Sequence, residues 1–264
     1  MNNEQILLDN NRCEFGYELS MMLPYAYYLW NKKANVKVKT YLEMAPFYPF
    51  LKSSQMTFYS SNSPRRYGYP NNIKIADFHS QQHHTCWLFP DYSEYYVPLE
   101  LNTDKPLLCI FNKYTSEWGH APINFLNINS LESLFALFQY KYQVIYIHPN
   151  PSQITEDHQK SYPFQEVKKL IDTYNVLTPF NFMSNSGLTY NECQIRLMLS
   201  CKNRLSVQGG NAMIASLSAG KNYIFCKKGK ELDYNFSWYR DFGAKEIKVF
   251  NEYDSLVQEC WSNF

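Results

Sequence analysis

Short apolar runs alternate along this chain with segments whose apolar residues recur at helical spacing, the pattern of an α/β fold. From Gly16 to Trp30, residues Leu19, Met22, Leu23, Ala26 and Leu29 fall near one helical face. Pro24 lies inside that stretch. It has no N–H and its ring crowds the preceding turn, so a kink or a restart is expected there. Val36 to Leu42 (VKVKTYL) alternates apolar and polar positions and predicts a half-buried strand. A loop rich in Ser, Asn and Pro follows from Ser60 to Asn72, and NIKIADF (72–78) offers another strand. Residues 80–104 hold no strong period.

The second part is more regular. Pro106 to Phe111 (PLLCIF) predicts a buried strand, and Ser130 fits the N-cap of a helix carrying Leu131, Leu134, Phe135 and Phe138. Tyr142 to Ile147 (YQVIYI) predicts a strand closed by His148 and Pro149, and Phe164 to Asp172 a helix. Thr189 and Glu192 form a T-x-x-E capping box before a helix running to about Cys201. Then come a strand at Arg204 to Gln208, a helix from Ala212 to Ala219 stopped by Gly220, a strand at NYIFC, and a last helix from Ser255 to Trp261. Strand, helix and strand joined by short links imply parallel pairing with right-handed crossovers. The expected architecture is therefore two Rossmann-like α/β halves, 1–104 and 105–264, whose parallel sheets face a cleft. The terminal helix is free to pack back on the first half.

Composition narrows the function. A length of 264 residues supports a sizeable core without a disulfide or metal staple. The net charge of +1 gives no general attraction for nucleic acid or anionic lipid, so any nucleotide contact must be local. Aromatic residues make up 17% of the chain, which fits either ring stacking on ligands or the codon bias of an AT-rich genome. The 7 cysteines are irregularly spaced with no CxxC pair, which points to a reducing, cytoplasmic setting rather than a disulfide framework or zinc knuckle. No leader pattern opens the chain, and no run reaches the roughly 18–20 apolar residues of a membrane span.

The sharpest candidate chemistry lies from Arg204 to Leu232. A strand runs into Gln208, Gly209, Gly210 and Asn211, and a helix starts at once. Glycines there let backbone approach a ligand, and the amides of a helix start favour phosphate. The same residues also suit a tight turn with no ligand. After the next strand, Lys228 could reach a diphosphate, and Glu231 stands where an acidic residue can accept ribose hydroxyls. In RCEFGYEL, Glu14 and Glu18 flank a glycine at the start of a helix, and either could take a hydroxyl proton. The alternative is capping by Glu18 and a salt link from Glu14 to Arg12. Asn112 and Lys113 follow a buried strand at the end where open α/β sheets bind ligands, and His148 ends a strand at the same edge as an acid/base candidate. His79, His83, His84 and Cys86 lack a second pair of ligands and sit in an irregular stretch, so no metal is expected.

EFGYEL with a following Pro-Tyr-x-x-Tyr-Leu run, then FNKYTSEWGHAPINFL, YQVIYIHP and SVQGGNAMIASLSAGKNYIFCKKGKEL, together resemble glycosyltransferase-like proteins of bacterial surface-polysaccharide loci and large DNA viruses. The resemblance spans most of the chain and is strongest from Pro106 to Leu232. More distantly it extends to enzymes of the GT-B architecture, including fucosyltransferase-like ones. It implies a metal-independent transfer of a sugar from a nucleoside diphosphate sugar to a glycan or glycoconjugate, with no cofactor. Donor contacts would fall at Gln208, Gly209, Gly210 and Asn211, and cleft residues at Gly16, Tyr17 and Glu18. The chain is short for two full nucleotide-type domains, which implies a reduced first half on the acceptor side. It also lacks the Arg-rich donor motif of fucosyltransferases. A non-catalytic carbohydrate-binding or scaffold protein on the same fold is the alternative from another class, and an enzyme acting on a different nucleotide-linked substrate is a third.

Overall fold

The computed structural model describes residues 5–11, 13–60, 65, 88–116, 120–148, 164–229, 239 and 242–264. Two parallel sheets organise them. In the first, β1 (Gln5–Asp9), β2 (Asn35–Thr40) and β3 (Met56–Phe58) pair in the order β1-β2-β3. The alternation in β2 has its physical result: Val36, Val38 and Thr40 are buried, while Lys37 and Lys39 face outward. Register places Leu8, Val38 and Met56 side by side on the covered face.

The helical stretch after β1 breaks where Pro24 requires it. α1 (Phe15–Tyr17) passes into a π-helical turn at Glu18–Met22, and α2 (Leu23–Asn31) restarts with Pro24 in its first turn, where a missing N–H costs nothing. The expected strand at 72–78 lies outside the described residues, as do His79, His83, His84, Cys86, Arg12 and Glu231.

The second sheet holds β4 (Leu107–Phe111), β5 (Gln143–Ile147), β6 (Asn203–Val207), β7 (Lys221–Phe225) and β8 (Glu246–Phe250), all parallel, in the order β5-β4-β6-β7-β8. Helices cover both faces, as the near-continuous apolar strands require. On one face α3 (Ile128–Phe138), α4 (Phe164–Thr173) and α8 (Tyr253–Asn263) pack Leu131, Phe135, Val167 and Leu256 against Leu108, Ile110, Leu205 and Val207. α8 therefore lies on its own sheet, against β7 and β8, and does not return to the first half. On the other face, α5 (Phe180–Ser186), α6 (Tyr190–Ser200) and α7 (Gly210–Ala215) share one apolar cluster with the first half.

Three local details differ from expectation. α3 is capped by Asn127, whose side chain accepts the Ser130 N–H at 2.8 Å, so Ser130 sits inside the first turn. Thr189 caps α6 by accepting the Glu192 N–H, but the Glu192 carboxylate turns to Arg196 at 2.8 Å instead of closing the box. α7 starts two residues early and ends at Ala215. The fully buried Arg204 explains the early stop. Its guanidinium donates to the carbonyls of Ala215 (3.0 Å), Ser218 (2.8 Å), Met198 (3.0 Å), Cys201 (2.7 Å) and Ala219 (2.7 Å), fixing one cation at the carboxyl ends of α6 and α7.

Read in chain order, the second sheet runs 2-1-3-4-5. The chain leaves β4 toward α3 on one face and leaves β6 toward α7 on the other. The carboxyl ends of β4 and β6 therefore form the switch point, the place at which such sheets take ligands. No helix among the described residues is long and apolar enough to cross a membrane.

Candidate functional site at the switch point

The residues that follow β4 and β6 are Asn112, Lys113 and Gln208 to Asn211, so topology brings together two groups that lie about a hundred positions apart in sequence. Gly209 has φ +107, a conformation that side chains rarely adopt. A Cβ on it would lie 3.1 Å from Lys113 Nζ, so the ammonium rests over the bare turn. Gly210 is small for another reason. A Cβ there would lie 2.6 Å from Phe15 Cδ1, because the first half seats this ring on the turn. Gly16 completes the seam, with its own Cβ position 3.8 Å from the Gly210 nitrogen and from the Met213 sulfur.

The charge at this corner comes from Lys113 more than from an amide cradle. The Gln208 N–H donates to the Phe225 carbonyl at 3.0 Å, and the Gly209 N–H meets the Tyr239 hydroxyl at 3.5 Å. α7 has only 6 residues, too few for a strong end dipole. Gln208 and Asn211 are buried, and Asn211 Nδ2 donates to the Asn112 carbonyl at 2.8 Å. Asn112 is itself framework: its carboxamide donates to the Leu126 carbonyl (2.9 Å) and accepts the Leu126 N–H (2.8 Å). The Asn112 and Asn211 side chains are thus engaged within the protein, and of the backbone amides expected to meet a donor at Gln208 to Asn211, that of Gln208 is taken by the Phe225 carbonyl.

Glu18 is also corrected. It is fully buried, and its carboxylate accepts from Asn10 Nδ2 (2.8 Å), the Tyr48 hydroxyl (3.2 Å), the Thr40 hydroxyl and Arg65 Nη1 (2.8 Å). The Arg65 guanidinium lies 4.1 Å over the Tyr41 ring and 3.8 Å from a Glu43 oxygen. No acceptor hydroxyl can reach an oxygen so enclosed, so Glu18 does not serve as the base in this arrangement. Burial also pushes the Tyr41 hydroxyl up to about 12, which keeps it protonated beside this cluster.

No family profile, curated protein or solved structure matches this chain.

Glu14 stands at the N-cap of α1, half-buried, two residues before Gly16 and the seam. Tyr17 is half-buried on the same short helix. His148 follows β5 beside Asn112, whose N–H donates to the Ile147 carbonyl at 2.8 Å. Its ring stacks on Tyr146, 5.5 Å between centroids, and its carbonyl accepts the Tyr190 hydroxyl at 2.8 Å. Burial lowers its pKa to about 4, leaving a neutral imidazole near pH 7. The Lys228 side chain is exposed, and its backbone is clamped by Asn124. Among the described residues no group of three or more His, Cys, Asp or Glu is placed to hold a metal ion.

Sequence reasoning missed Arg65, Asn10, Thr40, Asn124 and Arg204. Arg65 lies in an irregular stretch 47 residues from its partner Glu18, so no spacing rule signals the pair.

Proposed function

We propose that this chain is a GT-B-type glycosyltransferase that moves a sugar from a nucleoside diphosphate sugar to a hydroxyl of a glycan or glycoconjugate, and that the diphosphate lies in the crevice between β4 and β6. The observation that carries the reading is the Lys113 ammonium over Gly209, at the switch point and facing the seam where Phe15 and Gly16 of the first half meet Gly210. A cation over backbone without a Cβ is suited to a phosphate oxygen, and the low-dielectric walls of the seam strengthen that attraction.

In the proposed step an acceptor oxygen bonds to the anomeric carbon as the bond from that carbon to the phosphate oxygen breaks. Lys113 neutralises charge on the departing diphosphate. Glu14 receives the acceptor proton, replacing Glu18 in that role, and the neutral His148 orients a sugar hydroxyl.

A thermal-shift panel with UDP-, GDP- and dTDP-sugars tests the reading. Saturation to a hundred times Kd stabilises a protein by about 2.7 kcal/mol, and one nucleotide series is expected to raise Tm where glycans alone do not. Coupled to it, release of nucleoside diphosphate in the presence of glycan acceptors should fall at least tenfold in Glu14→Gln. The second reading, a non-catalytic carbohydrate-binding protein, draws on the structural use of the Glu18 carboxylate. It predicts stabilisation by glycan and none by any nucleotide sugar.

A further inference from the structure

Lys228 stands two residues beyond Cys226, past the carboxyl end of β7, with its side chain exposed. Its backbone, in contrast, is fixed. Asn124 Nδ2 donates to the Lys228 carbonyl at 2.7 Å, and Asn124 Oδ1 accepts the Lys228 N–H at 3.1 Å. One buried carboxamide thus takes both polar backbone groups of a residue 104 positions away. Bonds made by a buried group face little competition from water.

A matching pair of bonds anchors the chain two residues on. Leu126 donates its N–H to the Asn112 carboxamide at 2.8 Å and accepts from it at 2.9 Å, and Asn112 precedes Lys113 just after β4. Residues 124–126 therefore tie the chain after β4 to the chain after β7. β6 lies between those two strands, and neighbouring strands are about 4.8 Å apart, so β4 and β7 are about 10 Å apart. Lys113 and Lys228 thus leave the sheet on opposite sides of Gly209, the residue over which the Lys113 ammonium rests. Two ammonium groups on either side of one turn repel each other, and an anion with a charged group for each relieves that repulsion. A lysine stem is long and flexible, and holding its backbone lowers the cost of ordering it around a ligand.

Resting on the diphosphate reading above, we infer that Asn124 is a positioning residue. It holds the chain at Lys228 so that this ammonium meets the second phosphoryl group of a ligand whose first is met by Lys113. The two cations together then select a diphosphate over a single phosphate.

The test titrates inorganic pyrophosphate and inorganic phosphate, at one salt concentration, into the wild type and its variants by calorimetry. Lys228→Met should weaken pyrophosphate about 5- to 10-fold, less than a buried cation would give because an exposed ammonium keeps its water. Phosphate should stay within about twofold in that variant, and Lys227→Met, at the equally exposed neighbour, should leave both anions within about twofold. Asn124→Ala, and Asn124→Gln with its carboxamide one methylene further out, should weaken pyrophosphate as much as Lys228→Met does and spare phosphate. The double variant Asn124→Ala with Lys228→Met should bind pyrophosphate no more weakly than Lys228→Met alone. Additive losses in that cycle, or equal losses for both anions in the Asn124 variants, would make Asn124 ordinary scaffold and overturn the inference. So would unchanged pyrophosphate affinity in Lys228→Met, or a loss of the same size in Lys227→Met. Each of these outcomes leaves the diphosphate site standing, whereas failure of the wild type to bind pyrophosphate overturns the diphosphate reading itself.

Discussion

The carboxyl edges of the two sheets hold comparable polar groups and use them differently. At the first sheet, Asp9 ends β1 and accepts the Tyr59 hydroxyl, with Lys39 at 3.9 Å. Behind it, Glu18 and Arg65 meet at 2.8 Å with side chains 0% and 1% exposed. At the second sheet, Lys113 stays half-buried at the crevice and lies over a turn that has no side chain. Burial decides between the two outcomes. An ion pair withdrawn from water must satisfy every oxygen and nitrogen locally, which makes it scaffold. A cation at a partly wet rim is not bound by that demand.

The largest effect should come from breaking the enclosed pair. Arg65→Met leaves the Glu18 carboxylate buried with neutral donors only, and urea unfolding should show a loss of about 3–5 kcal/mol. Adding Glu18→Gln removes the stranded charge, and a double-mutant cycle should recover much of that loss. Additive losses would show that the two residues act separately.

Acid should act on the second sheet through His148. Its folded pKa of about 4 lies below the ordinary 6.5, so the unfolded chain binds more protons between those values. Its contribution is present above about pH 6.5 and is lost as pH falls toward 4, on the order of 3 kcal/mol at most. His148→Gln should flatten that part of the stability profile, as followed by urea midpoints from pH 7 to 4. An unchanged slope would mean that other groups set it.

A smaller effect is expected at the seam. Gly210→Ala places a Cβ within 2.6 Å of the Phe15 ring and should cost about 1–3 kcal/mol in thermal unfolding. Phe15→Leu in the same chain should relieve part of that cost. A silent Gly210→Ala would show that the Phe15 ring yields at no cost.

The second half was largely legible in the sequence because its strands are short unbroken apolar runs. Leu107 to Phe111 and Gln143 to Ile147 are buried at four of their five positions. β1 was not legible: Gln5 to Asp9 has three apolar residues, one of which, Leu7, is 50% exposed. β8 is half-buried throughout and gave a similarly weak signal. The early end of α7 depends on Arg204 capturing carbonyls from two helices, which no local pattern encodes. In the site, Lys113 and Gly209 could be found because strand ends and strand-to-helix glycines are positions fixed by topology. The duties of Glu18, Asn112 and Asn124 could not, since each depends on a partner many residues away across an irregular segment.

In the proposed function Lys113 supplies the attraction for a diphosphate at the switch point. Titrating the preferred nucleoside diphosphate and its uncharged nucleoside into the wild type and Lys113→Met tests it most directly. A charged hydrogen bond is worth roughly 1.5–3 kcal/mol, so the diphosphate should bind about 10- to 100-fold more weakly to the variant while the nucleoside is unaffected. Equal diphosphate affinity in both proteins, with the variant folded to the same Tm, would contradict the account.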